Sequence, residues 1–183
     1  MFQSIFITGY SGFIGRYLFR TLESRKYKSI YCLSRRNISS TDLSRQGNYQ
    51  FIRAGIHDTD AYSPYLRECD VVIHMAAATG KSKPQDLFNV NLEGTRVLVE
   101  KCRQLHVKNF LYVSSIAVKF PNTSQYPYAR SKQRAEDVVR ESDLRYAIIR
   151  PTIVLGQEGP IWQSLFRLAK VPVILIPGDG KES

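Results

Sequence analysis

Three glycines near the N-terminus constrain the fold of this chain more than any other feature of its sequence. Gly9, Gly12 and Gly15 follow the apolar run at residues 5–7 and precede apolar residues that recur at helical spacing. A buried strand, a glycine turn and a helix in this order form the element that binds a dinucleotide pyrophosphate in parallel α/β sheets. Incidental glycines in an ordinary strand–turn–helix are the alternative, but the flanking strand and helix favour a nucleotide site.

Each glycine of the turn has a predicted task. Gly9 permits the sharp turn out of the strand, Gly12 lets the backbone approach phosphate, and Gly15 lets the helix lie close to the strand. The phosphates are expected at the positive end of the helix that begins near Gly12. The predicted contacts of this segment with the cofactor are Gly9, Ser11, Gly12, Phe13, Ile14 and Gly15.

Composition and charge limit the function classes. The chain has 183 residues, of which 43% are hydrophobic and 23% charged, as in globular domains. No apolar run approaches the roughly 20 residues of a membrane span, and no export signal is evident, so we expect a cytoplasmic protein with no membrane partner. The net charge of +10 suits polyanions. Because the basic residues are scattered and no nucleic-acid-binding motif accompanies them, a nucleic-acid binder is the minority interpretation and cofactor phosphates explain the charge equally well.

The cysteines and histidines do not indicate a metal site. Three cysteines and three histidines are widely separated in the chain and lack metal-ligand spacing. We therefore predict reduced core thiols and no metal. His74 is predicted to be a hydrogen-bonded structural residue at the end of a strand.

Apolar strands alternate with helical patterns along the chain. This alternation predicts an α/β fold with a doubly wound, Rossmann-like parallel sheet. The predicted strands are residues 5–7, 29–34, 49–54, 71–75, 109–115 and 145–149. Two long helices are predicted further along the chain. One covers residues 84–104 and starts at Pro84, and the other covers residues 126–140 and is introduced by Pro127.

Arginines follow the second predicted strand, where this fold meets the adenosine ribose. Arg35 and Arg36 stand there, and no acidic residue lies between Glu23 and Asp42. An acidic residue at this point bonds the ribose of NAD, whereas arginine suits the 2′-phosphate of NADP. A solvated charged loop is the alternative. The sequence predicts NADP or NAD as cofactor, with NADP preferred.

The glycine motif T-G-Y-S-G-F-I-G resembles that of the extended short-chain dehydrogenase/reductase superfamily, which includes the NAD(P)-dependent sugar-nucleotide epimerases and dehydratases. The segments V-I-H-M-A-A at residues 72–77 and N-L-E-G-T at residues 91–95 are similar to further motifs of that family. The resemblance implies cofactor contacts at Gly55, Ile56, Ala76, Ala77, Ala78, Asn91 and Pro151. It gives Asn91 a role in bracing the active-site strand and helix. The family usually has Asp where Gly55 stands, which weakens the expected adenine contact.

Ser115, Tyr128 and Lys132 are the predicted catalytic residues. The spacing Y-x-x-x-K alone carries little information in a chain with 11 tyrosines and 26 basic residues. The position of Ser115 at a strand end, its S-S-I-A-V context and the glycine turn together favour catalysis. Tyr128 would act as the base, Ser115 would hydrogen-bond the substrate oxygen, and Lys132 would favour the phenolate and reach the ribose; Tyr128 and Lys132 thus also count as cofactor contacts.

These features predict an NAD(P)-dependent epimerase/dehydratase or reductase that transfers hydride at a carbinol or carbonyl carbon. A sugar nucleotide is the expected substrate class. The alternative is a catalytically inactive NAD(P)-binding regulatory or scaffold protein, because Lys119-Phe120 replaces a common Tyr-Gly.

The resemblance also predicts the domain organisation. A cofactor domain is expected over residues 1–155, and residues 156–183 would begin a small substrate-binding portion that is largely missing. Without that portion, the apolar residues between 160 and 176 would be exposed, so we expect a homo-oligomer and no turnover by this length of chain.

Overall fold

The described chain alternates strands and helices. The computed structural model describes residues 2–23, 27–35, 48–79, 82–157, 159, 162 and 166–168. The strands are β1 (Ser4–Thr8), β2 (Ser29–Ser34), β3 (Tyr49–Arg53), β4 (Val71–His74), β5 (Asn109–Val113) and β6 (Arg145–Ile149). The helices are α1 (Phe13–Glu23), α2 (Thr59–Arg67), α3 (Pro84–Leu87), α4 (Gly94–Gln104) and α5 (Pro127–Arg140).

The strands form one parallel sheet in the order β3-β2-β1-β4-β5-β6. The predicted doubly wound α/β fold is confirmed. β1 lies inside the sheet between β2 and β4, so the chain changes direction across the sheet at this strand. A crevice at the carboxyl ends of such strands is where α/β sheets bind ligands.

Two hydrophobic clusters cover the two faces of the sheet. Along β1, Ile5 and Ile7 face one cluster with Phe19 and Leu22 of α1. Phe6 points the other way and joins the larger cluster, which includes residues of α2, α4 and α5. This alternation follows from the two-residue period of a strand, and burial on both faces explains the unbroken apolar run of β1.

The predicted boundaries differ from the observed ones mainly at strand ends. β2 and β6 have the predicted limits, whereas β3, β4 and β5 end one or two residues earlier than predicted. At β5, pairing stops at Val113, so Ser114 and Ser115 project beyond the sheet. Helix α2 was not predicted; Pro64 lies inside it and lowers its helical propensity.

The predicted helix over residues 84–104 contains an unpredicted wide turn. A π-helical segment, Phe88–Glu93, joins α3 to α4. Asn91 is buried in this segment, and Gly94 directly after it is packed so closely that an added Cβ would lie 2.8 Å from Cγ2 of Ile56. The wide turn therefore lies where the helix packs against the segment after β3 and carries the buried Asn91.

The remaining structural expectations concern cysteines and the C-terminal residues. Cys32, Cys69 and Cys102 are free and buried, as predicted. The chain divides into compact units of residues 1–152 and 153–183. The predicted functional division after residue 155 stays a prediction. Most of the proposed association segment, including residues 160, 161, 165 and 171–176, lies outside the described residues. Among the helices that the structure describes, none is long and apolar enough to cross a membrane.

Candidate cofactor and catalytic site

The glycine turn has the geometry that its sequence predicts. Gly9 has φ +76°, and a Cβ there would lie 2.5 Å from the backbone nitrogen of Ala76. A Cβ on Gly15 would lie 2.4 Å from the carbonyl oxygen of Gly9. At Gly12 the nearest atom would be 3.2 Å away. Gly9 and Gly15 are therefore required by the packing of the turn, whereas Gly12 leaves open backbone toward the cleft.

A cleft of about 320 Å³ opens at the carboxyl ends of the first four strands. Its volume and its place at the point where the strand order reverses match a site for part of a dinucleotide. It is bordered by the glycine turn, the end of β2, the segment after β3 and the segment after β4. The predicted cofactor residues that line it are Gly9, Ser11, Gly12, Arg35, Gly55, Ile56, Ala76 and Ala77.

Other predicted cofactor residues do not line this cleft. Among the described residues these are Phe13, Ile14, Gly15, Ala78, Asn91, Tyr128, Lys132 and Pro151. Gly15 packs against the backbone of Gly9 and Tyr10 within the turn. The Phe13 ring packs edge-on against the Tyr17 ring, with ring centres 5.3 Å apart. Arg36 lies outside the described residues. The structure thus joins the residues predicted to contact phosphate, ribose and adenine into one cleft, with the predicted catalytic residues outside it.

The segment after β3 has an unusual local arrangement. The carboxylate of Asp58 turns back and accepts a hydrogen bond from Gly55 N–H, 2.7 Å between Oδ2 and nitrogen. A Cβ on Gly55 would lie 2.8 Å from that carboxylate oxygen. Gly55, which has no side chain, makes room for the Asp58 carboxylate. Ile56 lines the cleft but is only 9% exposed, so it offers a small apolar surface to a base.

His74 has the structural environment predicted for it. The side chain is fully buried, and its Nδ1 lies 2.6 Å from Thr8 Oγ1 while its Nε2 lies 2.9 Å from Thr95 Oγ1. Burial, with a smaller contribution from the charge of Lys132, lowers the pKa of His74 to about 3. The imidazole is therefore neutral at physiological pH and held between two hydroxyls.

Asn91 connects the segment after β4 to α5. Its Oδ1 accepts from Ala78 N–H at 2.8 Å, and its Nδ2 donates to Ala78 carbonyl at 3.1 Å. Nδ2 also donates to Ser131 Oγ at 2.9 Å, and Ser131 donates to the carbonyl of Tyr128 at 2.8 Å. These contacts fit the bracing role expected of Asn91. Ser131, which the sequence analysis missed, completes the connection.

The structure brings Ser115 and Tyr128 together. Burial raises the pKa of the half-buried Tyr128 phenol, and the neighbouring Ser115 hydroxyl acts in the opposite direction. Ser115 also accepts from Ala117 N–H at 3.2 Å, which fixes its hydroxyl at the start of the 3₁₀ turn Ile116–Lys119. The net direction is opposite to the lowering expected from Lys132. In this structure burial outweighs every other influence on Tyr128.

Lys132 is buried rather than displayed on a helix surface. It is 1% exposed, its Nζ donates to Val113 carbonyl at 2.8 Å, and it lies 4.3 Å from the centre of the Tyr112 ring. Burial lowers the pKa of Lys132 to about 7, with Glu136 acting in the opposite direction. Lys132 therefore does not belong to an exposed helix pair with Tyr128, and a buried lysine is rare without a specific role.

A buried carboxylate next to this site was not predicted. Glu136, one helical turn after Lys132, is 1% exposed and accepts two hydrogen bonds from Arg150, at 2.8 Å and 2.7 Å. Arg140 donates to the same carboxylate. Despite burial, which acts in the opposite direction, hydrogen bonds from Arg150 and Arg140 lower the pKa of Glu136 to about 2.

The hydrogen bonds between Arg150 and Glu136 help to hold the end of β6 near Ser115. Arg150 directly follows β6, and the next residue, Pro151, accepts a hydrogen bond from Ile116 N–H at 3.0 Å. The helical spacing of Tyr128, Lys132 and Glu136 could have indicated a common buried face, but the apolar pattern of α5 is too weak to show it.

The described residues contain no group of three or more His, Cys, Asp or Glu side chains that could hold a metal ion.

Comparison with known proteins identifies a family. The sequence model of the NAD dependent epimerase/dehydratase family matches residues 5–182. Among curated proteins, the chain is similar to a decarboxylating sterol-4-alpha-carboxylate 3-dehydrogenase of Dictyostelium discoideum, 33% identical over 63% of this chain and 36% of that protein. It is also similar to a ceramide reductase of Caulobacter vibrioides, 31% identical over 92% of this chain and 52% of that protein.

A solved structure shares the architecture. The UDP-glucuronic acid 4-epimerase from Bacillus cereus, in complex with NAD, is 26% identical with a TM-score of 0.72. The similarity covers 84% of this chain and 57% of that one. The chain thus spans between about a third and somewhat more than half the length of these relatives.

Proposed function

Because the chain belongs to the NAD-dependent epimerase/dehydratase family, we propose that it forms the cofactor-binding and catalytic part of an NAD(P)-dependent oxidoreductase acting on a secondary alcohol or ketone. The observation that carries the proposal is the buried Lys132 one helical turn beyond Tyr128, with Ser115 against the tyrosine. A regulatory or scaffold protein without turnover has no support from the relatives.

The cleft fits a dinucleotide. The first turn of α1 offers amide hydrogens and a helix dipole to a pyrophosphate. Gly12, whose own amide donates to the Gly9 carbonyl at 3.1 Å, has no side chain that would keep the phosphates at a distance. Arg35 stands at the ribose end of the cleft, and Gly55 and Ile56 stand at the adenine end. When bound, the nicotinamide supplies the exchange of hydride with the substrate carbon.

Ser115 and Tyr128 would handle the proton and the oxygen of the substrate. Tyr128 takes the hydroxyl proton when the substrate is oxidised and returns it on reduction. Ser115 donates a hydrogen bond to the same oxygen as its charge changes. Because burial raises the pKa of Tyr128, the neutral phenol is the resting form, suited to donating a proton. Lys132 places a cation one helical turn away that can favour the phenolate when the proton must be taken.

The test of the mechanism is Tyr128→Phe in the protein with its substrate-binding portion. We expect turnover to fall roughly 10²- to 10⁴-fold with cofactor affinity retained, because only the proton donor is lost. Tyr126→Phe is the matched control, since Tyr126 is an exposed tyrosine two residues earlier that also stands four before a cation, Arg130. Turnover that survives Tyr128→Phe, or falls equally in Tyr126→Phe, would exclude this mechanism.

We propose a sugar nucleotide as substrate class. The resemblance of the glycine motif to sugar-nucleotide epimerases and the likeness to the UDP-glucuronic acid epimerase support it. The assay is incubation with a panel of nucleotide sugars, with product analysis and absorbance of the reduced cofactor as readouts. Epimerised or dehydrated product from a panel member is the expected result.

A hydrophobic alcohol or ketone is the second candidate. Two curated relatives at 31% identity or more are named for a sterol carboxylate and for a ceramide. The same assay therefore includes a 3-hydroxysterol and a keto-sphingolipid. Turnover of these without turnover of any nucleotide sugar would transfer the assignment to lipid substrates.

We also propose NADP as the preferred cofactor, on the evidence of Arg35. It lines the cleft, and no acidic residue lies between Glu23 and Asp42. The Arg35→Asp variant should lose about 10- to 150-fold in NADP affinity, since a charge-assisted hydrogen bond contributes about 1.5–3 kcal/mol. Calorimetric titration with both dinucleotides measures it. Tighter NAD binding by the unaltered protein, as the bound NAD of the Bacillus cereus relative would suggest, refutes the preference.

A further inference from the structure

Three buried polar side chains near the cofactor cleft have no part in the proposed chemistry. Thr8, His74 and Thr95 are 1%, 0% and 0% exposed. They come from the end of β1, the end of β4 and the first turn of α4. Because a buried polar group must be hydrogen-bonded, their contacts can be followed from atom to atom.

The donors and acceptors in this group can be assigned by counting protons. Thr95 Oγ1 lies 2.6 Å from Asn91 carbonyl, which only accepts, so the single hydroxyl proton of Thr95 points there. Thr95 must then accept from His74 Nε2–H at 2.9 Å. His74 Nδ1 is consequently the unprotonated nitrogen.

The same counting fixes Thr8. Its Oγ1 accepts from Ala76 N–H at 3.1 Å, and its own proton goes to His74 Nδ1 at 2.6 Å. The chain of hydrogen bonds therefore runs in one direction, from Ala76 N–H through Thr8, His74 and Thr95 to Asn91 carbonyl. Every proton in it has one allowed place.

One end of this chain lies in the wall of the cofactor cleft, and the other reaches the residue that holds Ala78, two positions further along the same segment. Ala76 lines the cleft, and its amide is the first donor. Asn91 is the last acceptor, and its side chain holds both polar backbone groups of Ala78. The segment between Ala76 and Ala78 is thus held at two points by groups that also hold each other.

The network continues to the catalytic helix. Asn91 donates to Ser131, and Ser131 donates to the carbonyl of Tyr128. Lys132 approaches from the same helix; its Nζ lies over the Tyr112 ring, which stacks on His74 with ring centres 5.5 Å apart.

We infer that Thr8, His74 and Thr95 are positioning residues, because their hydrogen-bond chain of fixed direction joins Ala76, in the cleft wall, to the backbone carbonyl of Asn91. The Asn91 side chain in turn holds Ala78 and reaches the backbone of Tyr128 through Ser131. This inference rests on the proposed function, because it assigns the network the task of aligning cofactor and tyrosine. Neutral His74 is required, since an imidazolium would put a second proton between Nδ1 and Thr8. Burial and the neighbouring Lys132 both keep it neutral.

The tautomer is tested directly on the unaltered protein. Nitrogen-15 NMR of labelled histidine distinguishes a protonated from an unprotonated ring nitrogen. We expect His74 to carry its proton on Nε2, with Nδ1 unprotonated, from pH about 5 to about 8. A proton on Nδ1, or an imidazolium in this range, would overturn the inference. This measurement needs neither substrate nor a variant.

The positioning role is tested by Thr8→Val and Thr95→Val, which keep the side-chain shape and remove the hydroxyl. We expect Ala76 and Ala78 amides to exchange faster with solvent, and the affinity for NAD to fall about 3- to 10-fold, the equivalent of one hydrogen bond. Thr8→Ser and Thr95→Ser should restore both. Ser63→Ala is the matched control, because Ser63 makes the same type of bond, to the carbonyl four residues earlier at 2.6 Å, in α2.

The outcomes separate this inference from the proposed function. Valine variants that match the unaltered protein in amide exchange and affinity, in a protein whose turnover depends on Tyr128, would refute the network alone. The expected tautomer and exchange pattern in a protein that turns over no alcohol or ketone would refute the proposed function and leave the positioning of Ala76–Ala78 standing. If the valine variants do not fold, the serine variants and the tautomer still decide the question.

Discussion

Two regions of the molecule differ in the kind of residue that forms the candidate site. One lies at the carboxyl ends of β1 to β4, and the other lies around β5, α5 and β6. The first, the nucleotide side, is lined largely by backbone and small residues around Gly9 and Ala76. The second, the catalytic side, buries a lysine and a glutamate in one helix, Lys132 and Glu136. The backbone can approach a phosphate closely only where side chains are small or absent. Proton transfer, in contrast, uses ionisable groups whose pKa values are shifted by burial.

This difference determines where stability and activity coincide. On the nucleotide side, Gly9 borders the cleft and also permits the turn to fold, so a change there would harm both stability and binding. On the catalytic side, burial of the Lys132 ammonium lowers the free energy of unfolding, so its presence there is explained by function and not by stability. Variants that change stability without changing turnover, or turnover without changing stability, test this difference.

The largest expected effect is on turnover in Lys132→Met. Removing the ammonium should lower turnover at least about 100-fold, because Tyr128 loses the cation that favours its phenolate. Unfolding free energy should change by no more than about 1 kcal/mol, since the lost bond to Val113 is offset by the removal of a buried charge. Urea unfolding and steady-state kinetics measure both.

Lys119→Met is the control for that variant. Lys119 is an exposed lysine at the end of the 3₁₀ turn after Ser115. It should retain both turnover and stability. A large loss of stability in Lys132→Met would show that the buried lysine is a structural element of α5.

The next largest effect is on stability in Gly9→Ala. A Cβ at φ +76° and 2.5 Å from Ala76 nitrogen combines backbone strain with overpacking, so we expect a loss of about 2–4 kcal/mol. Gly12→Ala, whose Cβ would meet only Gly9 carbonyl at 3.2 Å, should lose less than about 1 kcal/mol and yet bind NAD more weakly. Equal destabilisation by the two substitutions would contradict the separate roles given to these glycines.

A smaller effect with a characteristic pH dependence is expected for Glu136→Gln. The folded pKa of Glu136 is lowered from 4.5 to about 2, so its stabilising contribution is complete above 4.5 and is lost as the pH falls toward 2. The variant should lose about 1–3 kcal/mol at neutral pH, because Arg150 keeps no ionised partner there.

Urea unfolding at several pH values tests this. The difference in stability between Glu136→Gln and the unaltered protein should shrink as the pH falls from about 5 to about 3. Glu93→Gln serves as the control, since Glu93 pairs with Arg96 at the surface, 3.2 Å apart, where ion pairs contribute little. A difference that does not vary with pH would mean that Glu136 is held for packing and not for its charge.

The nucleotide side could largely be predicted from sequence, and the catalytic side only in part. A glycine turn is local, so Gly9, Gly12 and Gly15 carry their meaning in their spacing and in the strand before them. The sheet followed from alternating strands and helices. Ser115, Tyr128 and Lys132 were proposed together on the strength of a family resemblance, and the structure places the serine against the tyrosine.

What could not be predicted depends on contacts between distant segments. Glu136 is an ordinary helical glutamate in sequence, and its burial exists only because Arg150 arrives from β6. Thr8 and Thr95 lie 87 positions apart by number and meet through His74. The direction of the Tyr128 pKa shift depends on burial, which no spacing reveals. Arg36 and the apolar residues after 170 lie outside the described residues, so those predictions stand untested.

We propose that one dinucleotide extends from the nucleotide side to the catalytic side. A crystal structure of the protein grown with NAD would show whether it does. We expect the pyrophosphate against Gly12 and the first turn of α1, the adenine beside Gly55 and Ile56, and the nicotinamide within reach of the Tyr128 hydroxyl. A dinucleotide bound away from the Gly9–Gly15 turn, or a nicotinamide directed away from Tyr128, would contradict it.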